Sequence, residues 1–224
     1  MSKRLLSLIT YSSLAVFFTI LMALIFLSSN DWYFVNGWMF WLAFCIPTFG
    51  ITAYFLKENP KLIERRVFPK ESRPAQMIGQ SIAGLLFFAL ILISSIDHKF
   101  DWTSVPIWVS VLADIGIVIG FLIVFKVFRV NSFASRAIET MENQKVITSG
   151  PYAIVRHPMY AGALLIILSI PIALDSIIGI LLGILLLVVI VFRIFDEEKM
   201  LKDELVGYKE YCEICKYRLI PYIW

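Results

Sequence analysis

Apolar runs of bilayer length follow one another along this chain and leave few folds open to it. A membrane's hydrocarbon core is about 30 Å thick, so a helix needs about 20 largely apolar residues to cross it. Leu5–Leu27 is such a run, followed by Gly37–Leu56, Ala75–Ile96 and Ile107–Phe125, the last interrupted only by Asp114. Met159–Leu174 is shorter, and Asp175-Ser176 breaks the pattern before Ile177–Ile194. Within lipid, every backbone amide must find its partner inside the protein, which favours helices over open strands. The expectation is an all-α integral membrane protein of about six transmembrane helices. Its last two spans form a C-terminal helical hairpin, with Pro171 near the turn. Composition agrees, since 59% of the residues are hydrophobic against roughly 45–50% in a soluble domain. The first run is longer than the roughly 7–15 residues of a signal-peptide core and lacks an Ala-x-Ala cleavage site, so it is read as a retained span.

Lysine and arginine mark alternate connections. Lys3 and Arg4 precede the first span, and Lys57, Lys61, Arg65, Arg66, Lys70 and Arg73 follow the second. Arg129, Arg136, Lys145 and Arg156 follow the fourth, and the tail after the sixth is again rich in lysine and arginine. The intervening loops Ser28–Asn36 and Asp97–Ser104 hold only Lys99. By the positive-inside rule both termini, and every long polar segment, belong to the cytoplasmic side. Any chemistry is therefore expected there. The net charge of +3 gives a nucleic-acid partner no electrostatic footing.

Beyond Ile194, the residues Leu201, Leu205, Tyr208, Cys212 and Cys215 recur at spacings of four and three. That stripe predicts the sixth span continuing out of the membrane as an amphipathic cytoplasmic helix, ending near Pro221. Cys212 and Cys215 form a C-x-x-C pair, but a structural zinc needs four ligands and His98 and His157 are distant in sequence, so no metal is expected. Asp114 is read as a protonated or hydrogen-bonded carboxyl packed between helices, away from the cytoplasmic side. The chain divides into an N-terminal four-helix transmembrane region, 1–130, and a catalytic region, 131–224.

Two segments of that second region could carry chemistry. One runs from Gln144-Lys-Val-Ile-Thr-Ser-Gly-Pro-Tyr152 to Arg156-His-Pro-Met-Tyr160. Gly150-Pro151 signals a turn, and Pro158 suits the first turn of a helix. The fifth span then starts at His157-Pro158, and its N-terminal amides and positive dipole end could bind a carboxylate. The other is Arg193-Ile-Phe-Asp-Glu197-Glu198, where Arg193 and Glu197 share a helix face. Taken singly, each has an ordinary explanation. Arg193 and Glu197 could be an interfacial helix pair, and Arg156-His157 a lipid-headgroup contact or a topology marker.

Together they form a pattern: Gly-Pro-Tyr-x-x-x-Arg-His-Pro-x-Tyr, a hairpin, Arg-x-x-x-Glu-Glu, then Gly207-Tyr208-x-x-Tyr211 and a late Pro221. This resembles the isoprenylcysteine carboxyl methyltransferase family, within a wider group that includes the membrane phospholipid methyltransferases. The likeness covers roughly Asn131 to Pro221. Upstream it rests on hydrophobicity and on Asn59-Pro-Lys-Leu-Ile-Glu-Arg-Arg66. The resemblance implies methyl transfer from S-adenosylmethionine to a lipid-like or small hydrophobic acceptor, such as the carboxylate of a prenylated cysteine. It places a cofactor pocket on the cytosolic side, with the acceptor arriving sideways from the bilayer. Carried over by position, Gln144, Lys145, Val146, Ile147, Tyr152, His157, Pro158, Met159 and Tyr160 line the cofactor. Glu197 holds one of its polar groups. Arg193 is the catalytic candidate and meets the substrate, with Asn131 also on the substrate side. Many eukaryotic members have a histidine where Gln144 stands.

The residue types suit that chemistry. Tyrosine faces favour a sulfonium cation and stack on adenine, and a carboxylate such as Glu197 accepts from ammonium or ribose hydroxyls. A carboxylate acceptor is already ionised at neutral pH, and an arginine can grip it through a bidentate pair. An amine or hydroxyl acceptor would need a base, for which His157 is the local candidate. Two other readings are a membrane sterol-type reductase using NADPH and a non-enzymatic membrane scaffold or transporter. Reductases of that type are usually longer, and the spans lack the paired charges and broken helices of a transporter.

Overall fold

The computed structural model describes residues 2–68, 74–131, 133 and 145–224. The described residues form helices α1 (Lys3–Ser29), α2 (Val35–Glu58), α3 (Pro60–Val67), α4 (Pro74–Phe100) and α5 (Ile107–Val130). A 3-10 turn at Gly150–Ala153 precedes α6 (Pro158–Ala173), α7 (Gly179–Glu204) and α8 (Tyr208–Ile214). The protein is an all-α, multi-pass membrane protein. Helices α1, α2, α4, α5 and α7 are long and apolar enough to cross a bilayer. Their outward faces carry exposed side chains such as Leu8, Leu85, Leu181 and Phe192, apolar surface of a kind that lipid covers.

The fifth apolar run forms a shorter element than a full span. α6 has 16 residues, about 24 Å at 1.5 Å per residue. Both of its ends are fixed locally. Pro158 occupies the first turn. At the other end Asp175 turns into the left-handed region at φ 59°, and the Ser176 amide donates to Pro171 O at 2.8 Å. The resulting hairpin with α7 is the one expected from the Asp175-Ser176 break.

α6 packs most closely on α5, because glycines remove the side chains between them. A Cβ at Gly120 would stand 2.7 Å from the carbonyl oxygen of Gly162, and one at Gly162 would stand 2.8 Å from that of Gly120. Small residues of this kind let membrane helices bring their backbones together. The central core gathers Leu21, Phe26, Phe40, Leu90, Ile117 and Ile170 from five helices. A second core joins Leu6, Leu62, Ile63 and Phe128 with Tyr152 and Met159. It brings the start of α1, the short α3, the end of α5 and the start of α6 to one end of the bundle. α3 begins there because Asn59 accepts the Leu62 amide at 3.3 Å and Pro60 opens the helix.

The opposite end is closed by a separate polar set. Asp97 accepts from the Thr103 amide at 2.8 Å and from Ser176 Oγ at 2.5 Å. His98 stacks on Phe34 with ring centroids 3.7 Å apart and faces Asp31 and Asp175. Asp114 is buried, as expected, beside α2 residues Met39 and Leu42. The hydrogen bond allowed for it is not formed, since neither carboxyl oxygen has a partner among the described residues.

The tail departs from the single amphipathic helix read from its stripe. α7 stops at Glu204, and Gly207 adopts φ +86°, a conformation glycine reaches without steric cost. The chain reverses there into α8. Leu201, Leu205, Tyr208, Cys212 and Cys215 still cluster as the spacing indicates. The cluster, however, faces Val146 and Tyr152 of the loop before α6.

Candidate active site

The segment from Lys145 to Tyr160 is held from both sides. Gly150 takes φ +61° and opens the 3-10 turn. The following stretch pairs with the C-terminal tail: the Arg156 amide donates to Tyr217 O and the His157 amide to Arg218 O, both at 2.9 Å. Tyr211 adds a bond from its hydroxyl to Tyr152 O at 2.7 Å. α6 then begins at Pro158 with His157 as its cap residue, whose side chain makes no capping hydrogen bond. The first amides of such an end, and its positive dipole, favour an anion.

Glu198 of α7 ties this assembly together. It is 3% exposed and receives Arg156 Nε at 2.7 Å, Arg218 Nε at 3.1 Å and His157 Nε2 at 3.3 Å. Lys202 Nζ stands 3.7 Å away, one helical turn on. Arg156 also donates through Nη1 to Cys215 O at 2.8 Å and Lys216 O at 3.0 Å. Burial works against the charge on Arg156, but the bond and attraction from Glu198 outweigh it and hold the guanidinium above its ordinary pKa. A guanidinium so enclosed is not a lipid-headgroup contact. Arg156 is a strut that fastens the tail over the loop.

Arg193 and Glu197 share a face, as their spacing indicates, and Tyr160 bridges them. Arg193 Nε donates to the Tyr160 hydroxyl at 2.8 Å, and that hydroxyl donates to Glu197 Oε2 at 2.8 Å. His157 Nδ1 lies 4.0 Å from Glu197 Oε1, so the imidazole, 4% exposed, sits between two carboxylates.

The remaining sequence-derived residues fall around this core. The Tyr152 hydroxyl accepts from Asn131 Nδ2 at 2.7 Å. Burial pushes that phenol up to about 12, with the Asn131 bond pulling down and Glu197 pushing up. Val146 packs on Tyr208 and Tyr211, Ile147 is half-buried and Lys145 is exposed. Met159 Sδ is 3.7 Å from Arg66 Nη1. Gln144 lies outside the described residues.

Two residues of this site were given no role by the sequence reading. Glu198 falls on the apolar line Ile194, Leu201, Leu205, and a carboxylate on such a line signals a buried partner. Tyr208 is 4% exposed, and its hydroxyl has no hydrogen-bond partner among the described residues. Burial first, then Glu198, Cys212 and Glu197, push its phenol up. Its hydroxyl therefore lies within electrostatic reach of the carboxylates of the site.

Fold and site together define a multi-pass helical membrane protein whose polar cluster is built at one end of the bundle. It is assembled from a loop, the end of α7 and the tail folded over both. Residues 108–205 match the family model described as Phospholipid methyltransferase. That stretch is similar to the isoprenylcysteine/phospholipid methyltransferase family, and the match supports a membrane methyltransferase. The matched stretch takes in α5, α6 and α7, and with them both segments of the site. No curated protein matches the chain.

Proposed function

We propose that the protein transfers the methyl group of S-adenosylmethionine to the carboxylate of a lipid-like acceptor, such as a prenylated cysteine, at the cytoplasmic membrane face. The observation that carries the reading is the Arg193–Tyr160–Glu197 bridge, set against the start of α6 within the matched stretch. The lysine and arginine pattern of the loops supports the cytoplasmic placement.

The donor set fits the cofactor's chemistry. Its amino-acid carboxylate suits the α6 N-terminus. Its ammonium or ribose hydroxyls suit Glu197. The buried Tyr208 hydroxyl offers a donor and acceptor left unmatched among the described residues. Val146, Ile147, Tyr152, Pro158, Met159 and Tyr160 supply apolar and aromatic wall, with Lys145 at the entrance and His157 braced behind. When bound, the cofactor supplies an electrophilic methyl group on a sulfonium. The protein's own part is positioning, because an in-line displacement gains most from alignment of its two reactants. An ionised carboxylate needs no base. Tyr160 fixes Arg193 through Nε, which sets the plane in which the guanidinium meets the acceptor. Asn131, braced against Tyr152, is placed on the acceptor side.

Glu197→Gln tests the division of roles. Loss of one charge-assisted hydrogen bond, about 1.5–3 kcal/mol, should weaken binding of S-adenosylhomocysteine by roughly 10- to 100-fold in calorimetric titration. Unchanged affinity would remove Glu197 from the cofactor site.

A further inference from the structure

A groove of about 260 Å³ runs between α1, α2 and α3 at the site end of the bundle, reaching Phe128 of α5. Thr10, Ser13, Phe17, Ile51, Thr52 and Arg66 line it. Most of the walls are apolar, as lipid-facing walls are, but three hydroxyls and one guanidinium interrupt them. Other hydroxyls of α1 bond back to the preceding turn: Ser7 Oγ donates to Lys3 O at 3.0 Å, and Thr19 Oγ1 to Ala15 O at 2.9 Å. Thr10 does not. It is 3% exposed, and its Oγ1 has no partner among the described residues. A buried hydroxyl left unmatched is costly unless something else completes it.

The charged end of the groove adjoins the site. The Arg66 guanidinium lies 4.6 Å from the Phe128 ring centroid, and Nη1 lies 3.7 Å from Met159 Sδ. Met159 is the neighbour of Tyr160, which holds Arg193. Phe17 lies about 10 Å along α1 from Thr10, at 1.5 Å per residue. One end of the groove is therefore cationic and hydroxyl-bearing, and the other is hydrocarbon.

We infer that this groove binds one chain of an anionic, single-chain amphiphile. Its negative headgroup faces Arg66, its head oxygens meet the hydroxyls of Thr10, Ser13 and Thr52, and its chain lies along Leu14, Phe17 and Ile51. A cationic residue with an apolar stem suits such a boundary. That this amphiphile is the methyl acceptor rests on the reaction proposed above; occupancy of the groove does not.

The test is photolabelling of the full chain in nanodiscs with a palmitic acid bearing a mid-chain diazirine, followed by peptide mapping. Adducts are expected on α1 and α2 near Phe17 and Ile51. Thr10→Leu, which fills the groove, should cut their yield about fivefold or more. Palmitate and lysophosphatidic acid, a carboxylate and a phosphate on one chain, should compete about tenfold better than hexadecanol, the gap of one lost charged contact. Competition by one anion alone would name the headgroup. Arg66→Gln should erase the preference for anions, and this arm keeps the test alive if Thr10→Leu fails to fold. Adducts spread over lipid-facing Ile115 and Val118, or equal competition by hexadecanol, would overturn the inference. Groove labelling without S-adenosylhomocysteine binding would sink the proposed reaction and leave the groove standing. Cofactor binding without groove labelling would do the reverse.

Discussion

Replacing Arg193 with alanine is expected to lower methyl transfer by about 100-fold or more while leaving S-adenosylhomocysteine affinity within about twofold. The magnitude follows from removing one partner of a desolvated, hydrogen-bonded charge pair, typically 2–5 kcal/mol, here the pair formed with the acceptor carboxylate. The selectivity follows from the geometry. Without Arg193, the Tyr160 hydroxyl still donates to Glu197, so the cofactor side of the bridge keeps its shape. Arg193→Lys retains the charge but not the planar fork, and should recover only part of the activity. Single-turnover assays with labelled cofactor, paired with calorimetry, separate the two effects. A parallel loss of turnover and cofactor affinity would move Arg193 to the cofactor side.

Glu198→Ala should be the most destabilising single change at the site. Glu198 neutralises Arg156 and Arg218 and accepts from His157, so its loss leaves the buried Arg156 guanidinium uncompensated. Breaking a buried ion pair from one side costs about 3–5 kcal/mol, on the order of a 10 °C fall in Tm for a chain of this size. The pair itself adds little net stability relative to apolar packing. The double variant Arg156→Leu/Glu198→Leu should therefore recover part of the loss, a non-additivity that marks direct contact. Thermal unfolding in detergent reads both. An unchanged Tm in Glu198→Ala would mean that the tail is held over the loop by other contacts, such as the Arg156 and His157 amides pairing with Tyr217 and Arg218.

Much of the architecture was legible because hydropathy reports directly on the solvent a helix faces. The five long spans and the Asp175-Ser176 break between α6 and α7 are readable as runs and interruptions. The start of α6 at Pro158 is equally local, since proline constrains its own first turn. The tail was less legible. The stripe from Leu201 to Cys215 reports that these side chains are buried together, but not against what. Gly207 at φ +86° turns the stripe back onto the loop. A glycine in a helical pattern does not announce which conformation it adopts.

The site divides in the same way. Arg193 and Glu197 were readable because they sit one turn apart on a single helix. Their link through Tyr160 joins two helices and has no signature in spacing. Arg156 was ambiguous for the same reason. Its partners, Glu198, Cys215 and Lys216, lie about 40 to 60 positions along the chain. Only the folded tail distinguishes a strut from a topology marker. Tyr208 gains its significance from a buried hydroxyl without a partner among the described residues, which no sequence pattern records.

The most direct test of the central claim is the thermal stability of the purified full chain in detergent with and without S-adenosylhomocysteine. A ligand that binds the folded state alone at 100 times its Kd adds about 2.7 kcal/mol by mass action. The account predicts a concentration-dependent rise in Tm of several degrees, diminished in Glu197→Gln and retained in Arg193→Ala. No shift with S-adenosylhomocysteine at millimolar concentration, together with a shift on adding NADPH, would contradict it.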